Sequence, residues 1–200
     1  MNNKVYYCFK IIGLLSLLGI AGITSLWSSS EPRLQLESTI NTVDGLLKDE
    51  SLSSNDLETK VFTEVEELFS FYHIARRSVG RQWQRFSQQE QTEFVDALSQ
   101  LLFKTYYRYL VELKEGPGMQ VINETILGKR QFEVRTKITI PSGIVPVSYR
   151  FIRVNGGWRI YDVIIEGVSM VSNYRSQFLA VLNADSPEEL IALIRSKNEL

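Results

Sequence analysis

The spacing of apolar residues divides the chain into a helical first part and a stranded second part, which meet near Gly116–Gly118. Before this Gly-Pro-Gly segment, apolar residues recur every three or four positions, as they do along one face of a helix. After it, apolar and polar residues alternate, as they do along a half-buried strand. We therefore predict a mainly helical part over 31–115, an antiparallel sheet over 119–166 and closing helices over 168–198.

Several predicted helix ends carry specific signals. The segments Ser87–Glu90 and Asn55–Glu58 each have the spacing of a capping box, in which two side chains bond to each other's backbone N–H groups. Ser186–Glu189 adds a proline at the first helical position, which is favoured at a helix start. Gly80 predicts the end of a short helix, because glycine readily adopts the conformation found there.

The alternation over 119–166 predicts a meander of antiparallel strands. From Phe132 to Ile140 the even positions are mostly apolar and the odd positions polar, which predicts a strand with one buried face. Asn155-Gly156 predicts a type I′ hairpin turn, which needs positive φ at both residues. The last strand, 158–166, is largely apolar on both faces. These elements predict an α+β fold: a curved antiparallel sheet of about four strands covered by helices, with added helices at both ends.

A curved sheet under helices leaves a cone-shaped space that is either filled by side chains or left for a ligand. The chain has ten Phe, nine Tyr and three Trp, and several of them cluster on the long helix and on the last two strands of the meander. Such clusters are often plain core. Tyrosine, however, joins an apolar body to a polar tip, which suits the mouth of a pocket.

The first 25 residues predict a secretory signal peptide. Lys4 and Lys10 precede an uncharged apolar run over Ile11–Ile23, and small residues follow. This run is short for a transmembrane helix, although an uncleaved anchor stays open because no clear cleavage motif is present. Cys8 lies inside the segment, so the mature chain would have no cysteine and no disulfide. We expect a single exported domain over 31–198.

Composition and residue spacing argue against several kinds of binding or catalytic site. A net charge of −1 and a pI near 6.0 give no sign of a nucleic-acid partner, and one His without a mature Cys leaves too few ligands for zinc. His73 lies beside two arginines and fits a surface or capping role better than a catalytic one. Asp162 and Glu166 would lie about 13 Å apart along one strand, too far for paired catalytic carboxylates. We expect no metal, no cofactor and no catalytic residue.

Two segments resemble the MlaC family, the periplasmic auxiliary component of a phospholipid-transport ABC system, also called the toluene-tolerance family. Gly156–Phe178, GGWRIYDVIIEGVSMVSNYRSQF, is similar to the family's signature, and Phe69–Trp83, FSFYHIARRSVGRQW, has its AR…G…W pattern. The order and spacing of the predicted elements also fit over most of 31–198. The chain departs from the family at Ser70, where an acid is usual, which puts a helix-capping or partner contact there in doubt.

The resemblance implies an NTF2-like α+β fold with a cavity between sheet and helices that takes phospholipid acyl chains. It implies a periplasmic lipid carrier that shuttles lipid between an outer-membrane lipoprotein–porin complex and the inner-membrane MCE-domain ring of an ABC transporter. Such shuttling maintains the lipid asymmetry of the outer membrane. It implies no catalytic residues, and we expect the carrier to be a monomer.

We predict that inward-facing side chains hold the lipid. They are Tyr106 and Tyr109 on the long helix and, on the last two strands, Val147, Tyr149, Phe151, Trp158, Ile160 and Val163. The set spans both faces of the last strand, because alternation does not show which face is inward. Four signature residues are interpreted as structural, with Arg175 pairing an acid and Tyr174 packing on the sheet, and with head-group binding as the alternative: Asn173, Tyr174, Arg175 and Phe178.

Two other classes of function stay open. An NTF2-like enzyme acting on a hydrophobic small molecule would need titratable groups in the pocket, and His73 or Asp162 would be the candidates. A structural protein of the envelope would have a filled core and no ligand. The amount of phospholipid that co-purifies with the protein separates a carrier from such a scaffold.

Overall fold

The computed structural model describes residues 30–112, 118–140 and 142–198, so the predicted signal peptide over 1–25 and Cys8 lie outside the described residues. The helices within these ranges are α1 (Glu31–Leu47), α2 (Ser54–Leu68), α3 (Phe71–Val79), α4 (Gln88–Glu112), α5 (Met170–Ala184) and α6 (Pro187–Asn198), with a 3-10 helix over Gly80–Arg85. The strands are β1 (Gly118–Gly128), β2 (Gln131–Ile140), β3 (Gly143–Val154), β4 (Gly157–Ile165) and β5 (Val168–Ser169).

The strands form one open antiparallel sheet in the order β1-β2-β3-β4-β5. The predicted α+β class is confirmed, with one strand more than the four expected. Val168–Ser169 pairs with the end of β4, whereas the sequence predicted a helix from Val168 onward. That helix, α5, begins at Met170 because the Ser169 hydroxyl caps it, accepting a hydrogen bond from Ser172 N at 3.0 Å.

Local capping signals locate most of the predicted helix starts. In the capping box at Ser87–Glu90, Ser87 N donates to the Glu90 carboxylate at 2.7 Å, and Glu90 N donates to the Ser87 hydroxyl at 3.3 Å. In Ser186–Glu189 the serine hydroxyl accepts from the glutamate N–H at 3.2 Å. The helix predicted to begin at Asn55 begins earlier, because Ser53 is the N-cap and accepts from Asp56 N at 3.2 Å. Ser53 and Asp56 have the same spacing, so the earlier of two capping pairs starts the helix.

The turn between β3 and β4 has the predicted geometry. Asn155 and Gly156 have φ values of 49° and 86°, as a type I′ turn requires. The turn places Val154 opposite Gly157 and so fixes the register of the two strands.

A bulge in β4 decides which of its side chains face the helices. Phe151 lies opposite Ile160 and Tyr149 lies opposite Val163, so β4 has one residue more than β3 between these pairs. The extra residue reverses the alternation of side chains. Ile160 and Val163 therefore share the inward face, although strict alternation assigns them to opposite faces, and Tyr161 has no partner in the ladder.

Both edges of the sheet help to position the helices that cover its inward face. Beside β4, Ser70 N donates to the carbonyl oxygen of Ile160 at 2.8 Å, which ties the start of α3 to the sheet. On β1, Glu124 accepts hydrogen bonds from Arg33 Nη1 and from Ser30 N, each at 3.2 Å. These contacts tie the start of α1 to the opposite edge. The helix also packs against β2 and β4, so it lies across the sheet.

Part of the interior is closely packed with aromatic rings. We refer to Trp83, Phe86, Phe94 and Phe178 as the aromatic core. Phe94 is fully buried, and its ring centroid lies 5.2 Å from that of Phe86, 5.6 Å from that of Phe178 and 6.3 Å from that of Trp83. Phe151 of the sheet belongs to the same buried cluster. This end of the interior is filled by the protein's own side chains.

Candidate functional site

A cavity of about 720 Å³ lies between the inward face of the sheet and helices α1, α2 and α4. Its volume is within the range of about 300–1,000 Å³ that is usual for small-molecule pockets. Most of the lining is apolar and comes from every layer of the fold. The apolar members are Leu36, Ile40, Val43, Leu47, Val65, Leu68, Phe69, Phe71, Leu102, Phe103, Leu110, Met119, Ile138, Val147, Val163, Ile165 and Met170.

The charged groups that line this cavity, among the described residues, all belong to α1 and its C-cap. They are Glu37, Asp44 and Lys48. Lys48 Nζ lies 2.7 Å from Asp44 Oδ2, while Asp44 Oδ1 is buried with no hydrogen-bond partner among the described residues. Among the described residues, the charged side of the cavity is therefore confined to one helix and its C-cap, which suits a ligand with an apolar body and one charged end.

Four tyrosines add hydroxyl groups to the apolar wall: Tyr106, Tyr107 and Tyr109 of α4 and Tyr149 of β3. Burial raises the pKa of Tyr106 and of Tyr107, and it raises the pKa of Tyr149 to about 12. A phenol that resists ionisation stays a neutral hydrogen-bonding group at physiological pH. These residues thus add polarity without charge.

High pH should destabilise the wild-type protein more than a Tyr149→Phe variant. The folded-state pKa of about 12 lies above the ordinary value of 10.0, so the stabilisation is complete below pH 10 and is lost as pH rises towards 12. A shift of this size corresponds to about 2–3 kcal/mol in the free energy of unfolding. Chemical denaturation at about pH 8 and about pH 11.5 measures the loss. Equal losses in both proteins would contradict an apolar setting for Tyr149.

Five of the eight side chains predicted to hold lipid line this cavity: Tyr106, Tyr109, Val147, Tyr149 and Val163. The other three do not. Phe151 and Ile160 are fully buried in the packed cluster, and Trp158 packs against Phe132 with ring centroids 6.0 Å apart. All three lie towards the β3–β4 turn, whereas the cavity lies towards the other end of these strands. Alternation identifies a face, but it does not show how far along a strand a cavity extends.

The sequence prediction missed the contribution of α1 and part of that of α4. Leu36, Ile40 and Val43 line the cavity from α1, and Phe103 and Leu110 line it from α4. The apolar stripe of α1 is visible in the sequence as one face of a helix. A stripe indicates burial, however, and does not identify what the helix packs against.

The signature residues lie mainly where α5 attaches to the rest of the fold. Phe178 belongs to the aromatic core, and the ring centroid of Tyr174 lies 5.4 Å from it. Arg175 donates through Nε, at 2.8 Å, and through Nη2 to the carbonyl oxygen of Arg77. The predicted pairing of Arg175 with an acid is therefore wrong, because the last turn of α3 offers unsatisfied carbonyls that a guanidinium can cap. Asn173 is exposed.

His73, one of the two candidates for acid–base chemistry, lies outside the cavity lining. Its Nδ1 atom is 2.7 Å from the hydroxyl oxygen of Ser70. Burial and the nearby Arg77 and Arg76 lower the pKa of His73, which keeps the ring neutral. Ser70 is the N-cap of α3 but makes no side-chain hydrogen bond to that helix's backbone.

Asp162, the other candidate, points away from the cavity into the junction between β4 and α5. Its carboxylate accepts hydrogen bonds from Ser169 Oγ at 2.8 Å and from Val171 N at 3.1 Å, so it anchors the start of α5. Within the described ranges, no group of three or more His, Cys, Asp or Glu side chains is placed to hold a metal ion. None of the helices in these ranges is both long and apolar enough to cross a bilayer.

Comparison with known proteins identifies relatives of this fold. The sequence model of the family described as MlaC protein matches residues 37–196. The chain is 22% identical over 142 residues to the intermembrane phospholipid transport system binding protein MlaC of Haemophilus influenzae, an alignment that covers 68% of this chain and 66% of that protein, just under two thirds of its length.

A solved structure shares the fold. It is the phospholipid-binding protein from Ralstonia solanacearum in complex with a phospholipid. The match has a TM-score of 0.74 and 20% sequence identity, and it covers 85% of this chain and 98% of that one. The shared fold therefore extends over nearly all of the solved chain.

Proposed function

Given that this chain belongs to the MlaC family, we propose that it is a lipid carrier that holds phospholipid acyl chains in the cavity and moves them between membranes. The observation that carries this proposal is the cavity itself, about 720 Å³ in volume, apolar on most sides and charged only along α1 among the described residues. A phospholipid has the matching distribution, with apolar chains and one charged end. The phospholipid-bound relative from Ralstonia solanacearum supports the same class of ligand.

The free energy of an empty cavity also supports a resident ligand. Apolar side chains around an unfilled space lose packing contacts, and in closed cavities this loss is about 24 cal/mol per Å³, so each part of the cavity that is shielded from solvent and left empty lowers the free energy of unfolding. An apolar wall offers water few hydrogen-bond partners, so acyl chains are the better filling. We therefore expect the protein to carry lipid when purified, or to close around a smaller space when the lipid is removed.

The energetics of loading suit a carrier. Burying one CH₂ gains about 0.8 kcal/mol, so a single chain of roughly 16 carbons gains roughly 12 kcal/mol on leaving water. Transfer from a bilayer is different, because the chain leaves one apolar environment for another and the two terms nearly cancel. Small differences in affinity at a docking partner can then decide whether lipid is loaded or released.

We further propose that the N-terminal segment exports the chain to the periplasm, where it acts as a monomer. The partners on this proposal are an outer-membrane lipoprotein–porin complex and the MCE-domain ring of an inner-membrane ABC transporter, and the outcome is maintained asymmetry of outer-membrane lipids. Family membership supports this assignment, and the relative in Haemophilus influenzae is named for an intermembrane phospholipid transport system. The chain would bind lipid without altering it and would need no nucleic acid or cofactor.

Transfer of a fluorescent phospholipid from donor to acceptor vesicles tests the proposed function. The wild-type protein should accelerate transfer in proportion to its concentration, and protein re-isolated from the donor vesicles should carry the labelled lipid. A protein that extracts no lipid and leaves the spontaneous transfer rate unchanged would contradict the proposal.

A His73→Gln/Asp162→Asn double variant should extract phospholipid to the same extent as the wild type, because neither side chain lines the cavity. It should also return the lipid chemically unchanged, as the wild type does. Mass spectrometry of the extracted lipid provides the measurement. A modified lipid product that forms with the wild type and disappears with the double variant would support the alternative, an NTF2-like enzyme acting on a hydrophobic substrate.

A further inference from the structure

Tyr149 occupies the centre of the apolar wall formed by the sheet. It lies midway along β3 with Val134 opposite it on β2 and Val163 opposite it on β4. The residue lines the cavity and is half-buried. Because β3 is an interior strand with these neighbours on both sides, the part of the side chain that stays accessible faces the cavity.

The hydroxyl of Tyr149 has no hydrogen-bond partner among the described residues, and burial alone accounts for the change in its pKa. A second hydroxyl on the same face behaves differently: Thr136 Oγ1 donates to the carbonyl oxygen of Val147 at 3.0 Å. A tyrosine hydroxyl in an apolar setting usually finds a hydrogen-bond partner. The free donor of Tyr149 is thus available to whatever fills the cavity.

We propose that the Tyr149 hydroxyl donates a hydrogen bond to a carbonyl oxygen of the bound acyl group. This inference rests on the proposed function and makes the cavity selective for acyl chains over alkyl chains of the same length. A hydrocarbon tail has no hydrogen-bond acceptor, so the oxygens that reach an apolar wall together with the chains are those of the carbonyl groups. The acceptor belongs either to a glycerol ester of a phospholipid or to the carboxyl group of a free fatty acid.

The test uses delipidated protein and three ligands: a dipalmitoyl phospholipid, its dihexadecyl ether analogue with the same head group, and palmitate. The wild-type protein should bind the ester lipid about three- to ten-fold more tightly than the ether lipid, the effect of one neutral hydrogen bond. Tyr149→Phe should weaken binding of the ester lipid by the same factor, so that the variant no longer prefers the ester lipid to the ether lipid. Tyr161→Phe, whose hydroxyl lies outside the cavity near Gln131, is the matched control and should keep the preference.

The palmitate arm identifies the source of the carbonyl. If Tyr149→Phe lowers the affinity for the ester lipid but not for palmitate, the contact is to the glycerol ester. If it lowers the affinity for palmitate alone, the contact is to a free carboxyl group. Equal binding of ester and ether lipids by the wild type, with no effect of Tyr149→Phe on any ligand, would overturn this inference and leave the carrier function standing. Failure of all three ligands to bind would overturn the proposed function and the inference with it.

Discussion

Val147→Glu should abolish stable phospholipid binding, with a loss of affinity of at least about 100-fold. Val147 is 5% exposed, lines the cavity and lies between Thr136 of β2 and Ile165 of β4. A carboxylate there must either stay ionised against acyl chains or take up a proton, and both options oppose binding. Fluorescent-lipid binding and lipid extraction from vesicles provide the measurement.

Ile144→Glu is the matched control for this variant. Ile144 lies on the same strand but is 63% exposed and does not line the cavity, so the same new charge should leave lipid binding unchanged. Circular dichroism melts of both variants show whether each is folded. A folded Val147→Glu protein that binds phospholipid with wild-type affinity would contradict the placement of acyl chains against the sheet.

Phe94→Ala should lower the free energy of unfolding by about 3–5 kcal/mol, the usual effect of truncating a fully buried phenylalanine. Phe94 is fully buried and contacts three rings of the aromatic core, and it does not line the cavity. Phe94→Ala protein should therefore still bind phospholipid under conditions in which it remains folded. Urea denaturation gives the stability, and lipid binding is measured below the unfolding transition.

Ile126→Ala serves as the control for Phe94→Ala. Ile126 is 75% exposed, so this truncation should change the unfolding free energy by no more than about 0.5 kcal/mol. A Phe94→Ala protein with near wild-type stability would mean that the aromatic end of the interior is loosely packed. Loss of lipid binding from a still-folded Phe94→Ala protein would mean that the packed core and the cavity are one space.

The sequence alone predicts features that depend on neighbouring residues. The capping pair Ser87–Glu90 and the Asn155-Gly156 turn appear in the structure as predicted, because their signals are complete within four residues. The helical stripes and the alternation in β2 likewise reflect periodicity within one element. From these local signals the α+β class and the order of its elements follow.

Features that depend on distant contacts were not predictable in the same way. The bulge at Tyr161 arises from the pairing of β3 with β4, and strict alternation therefore assigned Ile160 and Val163 to opposite faces. Arg175 finds a carbonyl of Arg77 rather than an acid, a contact between residues 98 positions apart. The extent of the cavity also depends on distant contacts, because helices α1 and α4 line it together with the sheet.

The interior has a packed part, which stabilises the fold, and an open part, which is the cavity. The aromatic core and the buried ends of β3 and β4 provide stability without a disulfide in the described residues. At the opposite end the apolar side chains surround the cavity, and α1 with its C-cap supplies the charged groups of the lining among the described residues. A carrier needs both properties, since the same domain must stay folded when it is loaded and when it is empty.

Native mass spectrometry of freshly purified protein, with lipid analysis of its organic extract, measures the central claim most directly. The predicted result is a mass above that of the polypeptide by one phospholipid, present at near-stoichiometric level and lost on delipidation together with a fall in melting temperature. The contradicting result is the bare polypeptide mass, no phospholipid in the extract, and a cooperative melt that added phospholipid does not shift.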